Sequence, residues 1–304
     1  MSRIKVACLV ALISLTCLPM RAAQQAAVAA GPAWSADLSD IRRVAGFIPG
    51  RKAQRINVLK FAESHRTMNF VVKGEAAGPG TQARTVFQVV YPDGYIMVDA
   101  GMDLTVHKLL GRGADEPYFA EQAQLVDKAL RGARAIIFTH EHGDHVSGVI
   151  RTPYVSELAP KTILTRTQVH TLVTAPQFPE IRLTEEQAQR YRIIDYEKYM
   201  AFAPGWVLIK APGHTPGSQM MFITLESGRE YLLIGDAAWH MDNVRRVAGK
   251  DAPWIVEDTA AVNDQLKWLN MLSTTDKNLV IVASHDDDEH KDLVAKKLLG
   301  GRLE

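Results

Sequence analysis

The stretch from Ile136 to Val149 reads IIFTHEHGDHVSGV and is the most informative part of the chain for fold and chemistry. Three histidines and two acids fall within six residues, between an apolar run and a turn of small residues. Imidazole and carboxylate are side chains that bind zinc and other borderline divalent metals. The stretch therefore predicts a metal site at the end of a buried strand.

Within this cluster, the spacing predicts two groups of ligands. His140 and His142 are two residues apart, so a turning loop can direct both side chains to one ion. Asp144 and His145 lie just beyond and can bind a second ion. Glu141 lies between two inward-pointing ligands, and we expect its side chain either to face outward or to brace the loop.

Several other predicted strands also end in a residue that can bind metal. WVLIKA is followed by PGH, YLLIG by an aspartate, and LVIVAS by a histidine. A rigid sheet holds the side chains at its strand ends in fixed positions, so these residues can form one site from distant parts of the chain. The candidate ligands are His140, His142, Asp144, His145, His214, Asp236 and His285.

Composition limits the classes of function. The 304 residues, 47% of them hydrophobic, are enough for one large domain or two small ones. The formal net charge of +1 gives no electrostatic argument for a nucleic-acid partner. A nucleic-acid partner is therefore not expected, and the sequence leaves a homodimer open.

Residues 1–30 have the layout of a secretory signal peptide. Arg3 and Lys5 precede an apolar run, Val6 to Leu18, which is short for a transmembrane helix and is followed by small residues. The layout predicts a periplasmic or secreted protein without stable membrane insertion once the signal is removed. A buried N-terminal helix is the alternative.

Both cysteines lie inside this segment. Cleavage near Ala23 or after Ala29 would remove Cys8 and Cys17 and leave no thiol and no disulfide in the mature chain. A lipid anchor at Cys17 is also left open, although threonine is a poor residue before a lipidated cysteine.

Beyond the signal, short β-like runs alternate with helical patterns, without a repeat or a linker. PDG supplies the turn chemistry of a hairpin over Thr85–Gly101. The alternation predicts a layered α/β domain. The other predicted strands are 56–62, 69–74, 133–140, 162–165, 206–211, 220–225, 230–237 and 278–284, and the predicted helices are 119–132, 167–173, 184–191, 259–272 and 290–299.

HEHGDH resembles the His-x-His-x-Asp-His signature of the metallo-β-lactamase fold superfamily. APGHTPGS, IGDAAW and VASHD resemble its later metal motifs, in the same order, and YIMVDAG resembles its early strand motif. The resemblance extends from Ile56 to the C-terminus. It implies a four-layer αββα sandwich, with the site along one edge of the two sheets, in a single hydrolase domain over residues 31–304.

The resemblance also implies a role for each candidate ligand. Asp99 would support the metal loop without binding metal itself. Two divalent ions are expected, zinc first among them, with iron, manganese and cobalt left open. The first ion would be held by His140, His142 and His214, the second by Asp144, His145 and His285, and both by a bridging Asp236.

Two neighbouring metals can share a water and lower its pKa from near 16 toward about 7, which makes hydroxide available as a nucleophile. Asp144 would be both a ligand and a proton acceptor. The chain has no G-x-S-x-G motif, so a serine nucleophile is not expected. The resemblance thus implies a dinuclear metal-dependent hydrolase.

APGHTPGSQMMFI followed by LLIGDAAW is most similar to the lactonase and organophosphate-hydrolase branch, which includes N-acyl-homoserine lactonases. Those lactonases commonly have a tyrosine three residues after the bridging aspartate, where this chain has Trp239. We therefore expect hydrolysis of a lactone, ester or related bond. One alternative is a cysteine-free metallo-β-lactamase, although that subclass usually lacks a counterpart of Asp236. Another is a metal-binding scaffold without turnover.

The irregular segment 151–205 is expected to shape the substrate pocket, together with residues near the motifs. Apolar side chains there would suit an acyl chain or an aryl ester. Ordinary core packing is the alternative for the apolar candidates, and surface exposure for the histidine. The candidates are Met102, Tyr154, Phe178, Trp239 and His240.

Overall fold

Two β-sheets face each other in the computed structural model, which describes residues 33–304. Neighbouring strands are antiparallel except β3 to β6 and the pair β10–β11, which are parallel. The first sheet contains, in spatial order, β1 Arg55–Thr67, β2 Pro79–Tyr91, β3 Gly94–Val98, β4 Ala135–Ile137, β5 Thr162–Thr165 and β6 Arg192–Ile194. The second sheet, in the order β11-β10-β9-β8-β7, contains β7 Tyr199–Ala203, β8 Trp206–Lys210, β9 Gln219–Thr224, β10 Glu230–Leu233 and β11 Leu279–Val282.

Eleven α-helices connect the strands within the described residues, and three short 3-10 turns cover 159–161, 179–181 and 235–237. None of the helices in residues 33–304 has both the length and the apolar character needed to cross a bilayer. The helices are α1 Leu38–Ala45, α2 Met68–Val71, α3 Leu104–Gly111, α4 Ala120–Gly132, α5 Gly143–Ile150, α6 Val155–Leu158, α7 Arg166–Thr174, α8 Glu185–Ala188, α9 Met241–Arg246, α10 Thr259–Thr275 and α11 Asp287–Ala295.

The central core lies between the two sheets. Side chains alternate along a strand, so β2 buries Phe87 and Val89 against the other sheet and Val86 on its opposite face. Trp206 and Met221 meet the central core from the second sheet. Because both faces of β2 are covered, every residue from Gln82 to Tyr91 is buried, including the polar side chains of Gln82 and Gln88.

Helices cover the outer face of each sheet. On the first sheet, Met97 shares a cluster with Leu130 of α4 and Val146 of α5. On the second sheet, Phe222 shares a cluster with Leu266 of α10. These packed layers confirm the predicted α/β architecture of a four-layer αββα sandwich.

The predicted strand at Asn69–Gly74 is wrong. The chain forms α2 over Met68–Val71, and the N–H of Val72 donates to the carbonyl of Met68 at 2.7 Å. A short apolar run has no periodicity long enough to separate helix from strand. Here Val71 and Val72 pack against Trp239, a contact that no local pattern reveals.

Residues 33–304 form one compact unit, and the predicted signal peptide at 1–30 lies outside the described residues.

The metal motif at 140–145 is not wholly the loop that the sequence predicts, because α5 begins inside it at Gly143. A Cβ on Gly143 would lie 2.8 Å from Cγ1 of Val106, so close packing against α3 requires a glycine there.

Candidate metal centre

The cluster 140–145 lies directly after β4, between the sheet and α5. His140 and His142 are in the connecting turn, and Asp144 and His145 are in the first turn of α5. Helical backbone therefore fixes the second pair of side chains, and the strand end fixes the first. This division matches the two groups that the spacing predicts.

Asp99 supports the cluster from the end of β3. Its backbone is left-handed, with φ of 61°, and its side chain is 1% exposed. The carboxylate accepts hydrogen bonds from the backbone N–H of Thr139 at 2.8 Å and from Nδ1 of His145 at 2.8 Å. The second contact fixes the His145 ring so that Nε2 faces the centre.

The remaining candidates also follow strands, and all are buried. His214 lies in the turn after β8, Asp236 follows β10, and His285 follows β11. His285 has its Nδ1 fixed by the carbonyl of Ala83 at 2.7 Å. The edge of the second sheet thus faces the cluster on the first.

All seven candidate side chains converge. Asp236 lies at the middle, with Oδ2 3.2 Å from Nε2 of His285, 3.5 Å from Nε2 of His214 and 3.8 Å from Nε2 of His140, and Oδ1 3.5 Å from Nε2 of His145. Nδ1 of His142 and Nε2 of His214 are 3.0 Å apart. Three groups have ligand atoms within 4.8 Å of one another: His140, His142 and His214; His140, His145 and Asp236; and Asp144, His145 and His285.

The donor atoms fit divalent cations. Nε2 of His140, Nε2 of His145 and Oδ1 of Asp236 are buried and have no hydrogen-bond partner within residues 33–304. Burying such atoms without a partner costs about 1–3 kcal/mol each. A cation would satisfy all three, and nitrogen with carboxylate oxygen is a set that zinc and related metals accept.

The protonation states agree with this fit. Burial lowers the pKa of His140 well below its usual value and that of His142 to about 3, so both rings are neutral and can bind metal. Burial also lowers the pKa of His145, but the charges of Asp144 and Asp99 outweigh it and raise that pKa well above the usual value. Binding a divalent ion there would release that proton.

The sequence pattern of the metallo-beta-lactamase superfamily matches residues 79–285, which is more than half of the chain. The chain belongs to the metallo-beta-lactamase superfamily. An N-acyl homoserine lactonase from a Bacillus species is 29% identical over 163 residues, which span 51% of this chain and 57% of that protein. The match thus covers less than two thirds of the relative. Together these comparisons confirm the superfamily that the sequence motifs predict.

Two solved structures of lactone-hydrolysing enzymes share the fold. An N-acyl homoserine lactone hydrolase with N-hexanoyl-L-homoserine at its catalytic metal centre aligns with a TM-score of 0.63 at 20% identity, over 79% of this chain and 96% of that one. A dizinc quorum-quenching lactonase aligns with a TM-score of 0.55 at 15% identity, over 78% and 89%. These likenesses confirm the sandwich fold of this superfamily member.

Three charged residues beside the candidate metal centre were not among the residues predicted from the sequence. Arg84 on β2 is buried, and its Nη1 donates to Oδ2 of Asp144 at 2.5 Å. Glu257 accepts from Nδ1 of His214 at 3.0 Å, and Nζ of Lys250 lies 3.0 Å from the same carboxylate oxygen. The signal for Arg84 is a charged residue directly before the predicted hairpin that begins at Thr85, whereas 250–257 is irregular and has no signal.

Glu141 braces the loop and does not face outward. Its side chain is buried and accepts hydrogen bonds from Oγ1 of Thr215 at 2.8 Å and from the backbone N–H of Gly217 at 3.0 Å. These contacts tie the 140–145 cluster to the turn that carries His214. Of the two expectations for Glu141, the bracing one is confirmed.

A cavity of about 320 Å³ opens beside the centre, and only some of the predicted substrate-binding residues line it. Phe178 and Trp239 line this cavity, where Nε1 of Trp239 donates to Oδ2 of Asp236 at 2.8 Å. The other three of the five predicted substrate-binding residues, all of which the structure describes, do not line this cavity. Met102 is buried in the core, Tyr154 lies on the surface against Arg131, and His240 lines a neighbouring cavity.

Proposed function

We propose that this protein is a dinuclear metal-dependent hydrolase that opens a lactone, an ester or a related bond in a small molecule. The observation that carries the proposal is the convergence of seven imidazole and carboxylate groups around Asp236. The lactonase relative and the lactonase folds support the choice of bond. Hydrolysis of β-lactams remains the alternative.

In this proposal, His140, His142 and His214 would hold one ion, Asp144, His145 and His285 would hold the other, and Asp236 would be a ligand of both. Two divalent ions held there, zinc being our first choice, would polarise the scissile bond and lower the pKa of water. Neighbouring groups of the protein orient three of these histidines. Asp99, Glu257 and the carbonyl of Ala83 hold His145, His214 and His285 in the orientations that direct Nε2 inward.

Asp144 is the residue we assign to accept a proton during hydrolysis. Burial raises the pKa of Asp144, but the positive charges of His145 and Arg84 outweigh it and hold that pKa well below the usual value. The carboxylate is therefore ionised at neutral pH. Arg84 also fixes its orientation through the 2.5 Å hydrogen bond.

The cavity walls would hold the substrate beside these groups. Phe178, Trp239 and Trp254 supply apolar surface, which suits an acyl or aryl group. Nε1 of Trp239 already donates its hydrogen bond to Asp236, so the indole orients that carboxylate. Only the face of the ring is left to contact the substrate.

A substrate panel tests the proposal. Purified protein would be loaded with zinc, manganese, cobalt or iron, its metal content measured, and its turnover followed on esters, lactones, β-lactams and phosphotriesters, beside D236A as the control. We expect turnover of an ester or lactone that requires metal and is absent in D236A. A fully loaded protein that is inert on the whole panel would contradict the proposal, and a carbapenem hydrolysed much faster than any lactone would favour the alternative.

We also propose export to the periplasm or the medium, on the basis of the signal-like residues 1–30. N-terminal sequencing of protein recovered from the periplasmic fraction of a bacterial host would test this. A start near residue 24 or residue 30 is expected, whereas an intact N-terminus in the cytoplasmic fraction would contradict export.

A further inference from the structure

Three arginines line the cavity beside the metal centre: Arg66, Arg84 and Arg112. Two of them have acidic partners. Arg66 donates to Oε1 of Glu116 at 2.7 Å, and Arg84 donates to Asp144. These two guanidinium groups are thus compensated by the protein itself.

Arg112 differs from the other two. Its side chain is exposed at the cavity, and it has no ion pair with any residue in 33–304. It also lies at the C-cap of α3 with a left-handed backbone, φ of 54°, a position that ordinarily favours glycine. The chain therefore keeps an arginine where its backbone is strained, which points to a use for the side chain.

The surroundings hold Arg112 in one place. Its guanidinium stacks on the ring of Trp254 at 4.6 Å, and Trp254 itself packs edge-on against Phe70. Arg66 donates to the carbonyl of Leu110 at 2.8 Å, which fixes the end of α3. A stacked guanidinium keeps its N–H groups at its edge, where they can bind a planar anion with two hydrogen bonds.

The electrostatics of the cavity favour a negative charge. Burial lowers the pKa of Arg66, and the charges of Arg84 and Arg112 lower it further, so the three cations lie close enough to interact. The two acids that line the cavity, Asp144 and Asp236, belong to the candidate metal centre. The mouth of the cavity thus presents a cation on an aromatic ring without an acid of its own.

We propose that the substrate of this site carries a carboxylate, and that Arg112 is the specificity residue that binds it while the scissile ester or lactone lies at the metal centre. This inference rests on the proposed hydrolase function. A preference for substrates that carry a carboxylate would distinguish this protein from an enzyme that acts on neutral lactones.

A matched pair of esters tests the inference on the metal-loaded protein. 4-Acetoxybenzoate carries a carboxylate, and 4-acetoxybenzamide carries the same acetate ester with a neutral amide of nearly the same shape in place of the carboxylate. We expect kcat/KM for the anionic ester to exceed that for the neutral ester about tenfold, after correction for their uncatalysed rates. R112Q should bring this ratio close to one, and added salt should reduce it in the wild type.

Two variants serve as controls. R112K keeps the charge without the planar fork and should retain part of the preference. R192Q removes an exposed arginine on β6, away from the cavity lining, and should retain the wild-type ratio. A ratio of one in the wild type, or an unchanged ratio in R112Q, would overturn the inference and leave the hydrolase proposal intact.

A binding measurement separates the two proposals. Calorimetry on the metal-loaded protein would compare benzenesulfonate with its neutral isostere methyl phenyl sulfone. If the metal-loaded protein hydrolyses neither of these esters nor any compound of the substrate panel, the proposed function fails. The anion site is then supported by benzenesulfonate binding that R112Q weakens about tenfold, and overturned if the anion binds no better than the sulfone.

Discussion

Glu257 and Lys250 form a buried ion pair at 3.0 Å, and the same carboxylate oxygen of Glu257 accepts the Nδ1 hydrogen of His214. Lys250 also donates to the backbone carbonyl of Asp236 at 2.6 Å. Burial raises the pKa of Glu257, but the His214 hydrogen bond and the Lys250 charge hold it below its usual value. One charged pair therefore holds two candidate ligands, His214 and Asp236, which follow different strands.

We expect E257Q to weaken metal binding at the ion held by His214. The amide cannot balance Lys250 or hold the imidazole as strongly, and loss of such a partner typically lowers metal affinity about 10- to 100-fold. Titration against a chelator of known affinity measures this. E226Q, which removes a surface carboxylate bound to Arg51, is the matched control and should bind metal as the wild type does. Equal affinities in the two variants would contradict the role of Glu257.

Asp236 and Glu141 are both buried acids, but we expect their alanine variants to fail in different ways. D236A should lose metal and nearly all turnover, because it removes the group shared by the whole cluster. E141A should keep metal, yet lose about 1–3 kcal/mol of stability because Thr215 and Gly217 lose their acceptor. Metal analysis and chemical denaturation separate the two effects. Loss of metal in both variants would show that Glu141 does more than brace the loop.

Stability should fall as pH drops from about 6.5 to about 4, partly because of His290. Burial lowers the pKa of His290 from 6.5 to about 4, so the unfolded chain binds a proton in this range and the folded chain does not. The full difference is on the order of 3 kcal/mol. H290Q keeps a donor for the carbonyl of Ala283 and should show a shallower slope in denaturation between pH 6.5 and pH 4. An identical slope would contradict the assignment.

Two glycines of α5 should differ in whether a second change rescues them. In G143A the new Cβ lies 2.8 Å from Val106, and we expect a loss of about 1–3 kcal/mol that V106A partly restores. In G148A the Cβ would lie 2.0 Å from the carbonyl oxygen of Ala100, a backbone atom that cannot rotate away as a side chain can, so V106A should not help. Thermal unfolding of the single and double variants checks this. Rescue of neither glycine variant would show that Val106 is not the limiting contact.

The sequence predicts most of the strands and the positions of the candidate ligands because both depend on local signals, but it misses β6 and β7 and wrongly predicts a strand at 69–74. An apolar run followed by His140 or Asp236 is visible without the fold. The partners of those ligands are different, because Arg84 and Glu257 become relevant only when distant segments meet. Met102 illustrates the opposite error, since an apolar residue near a motif can equally belong to the core, and here it does.

The braced pair has one further consequence. Lys250 and Glu257 hold the two ends of a short segment whose middle residues, Trp254 and Ile255, form a wall of the cavity. Residues 251–256 can therefore be exchanged in evolution while both anchors stay in place. Substrate preference can diverge along such a lineage without dismantling the centre that carries out the chemistry.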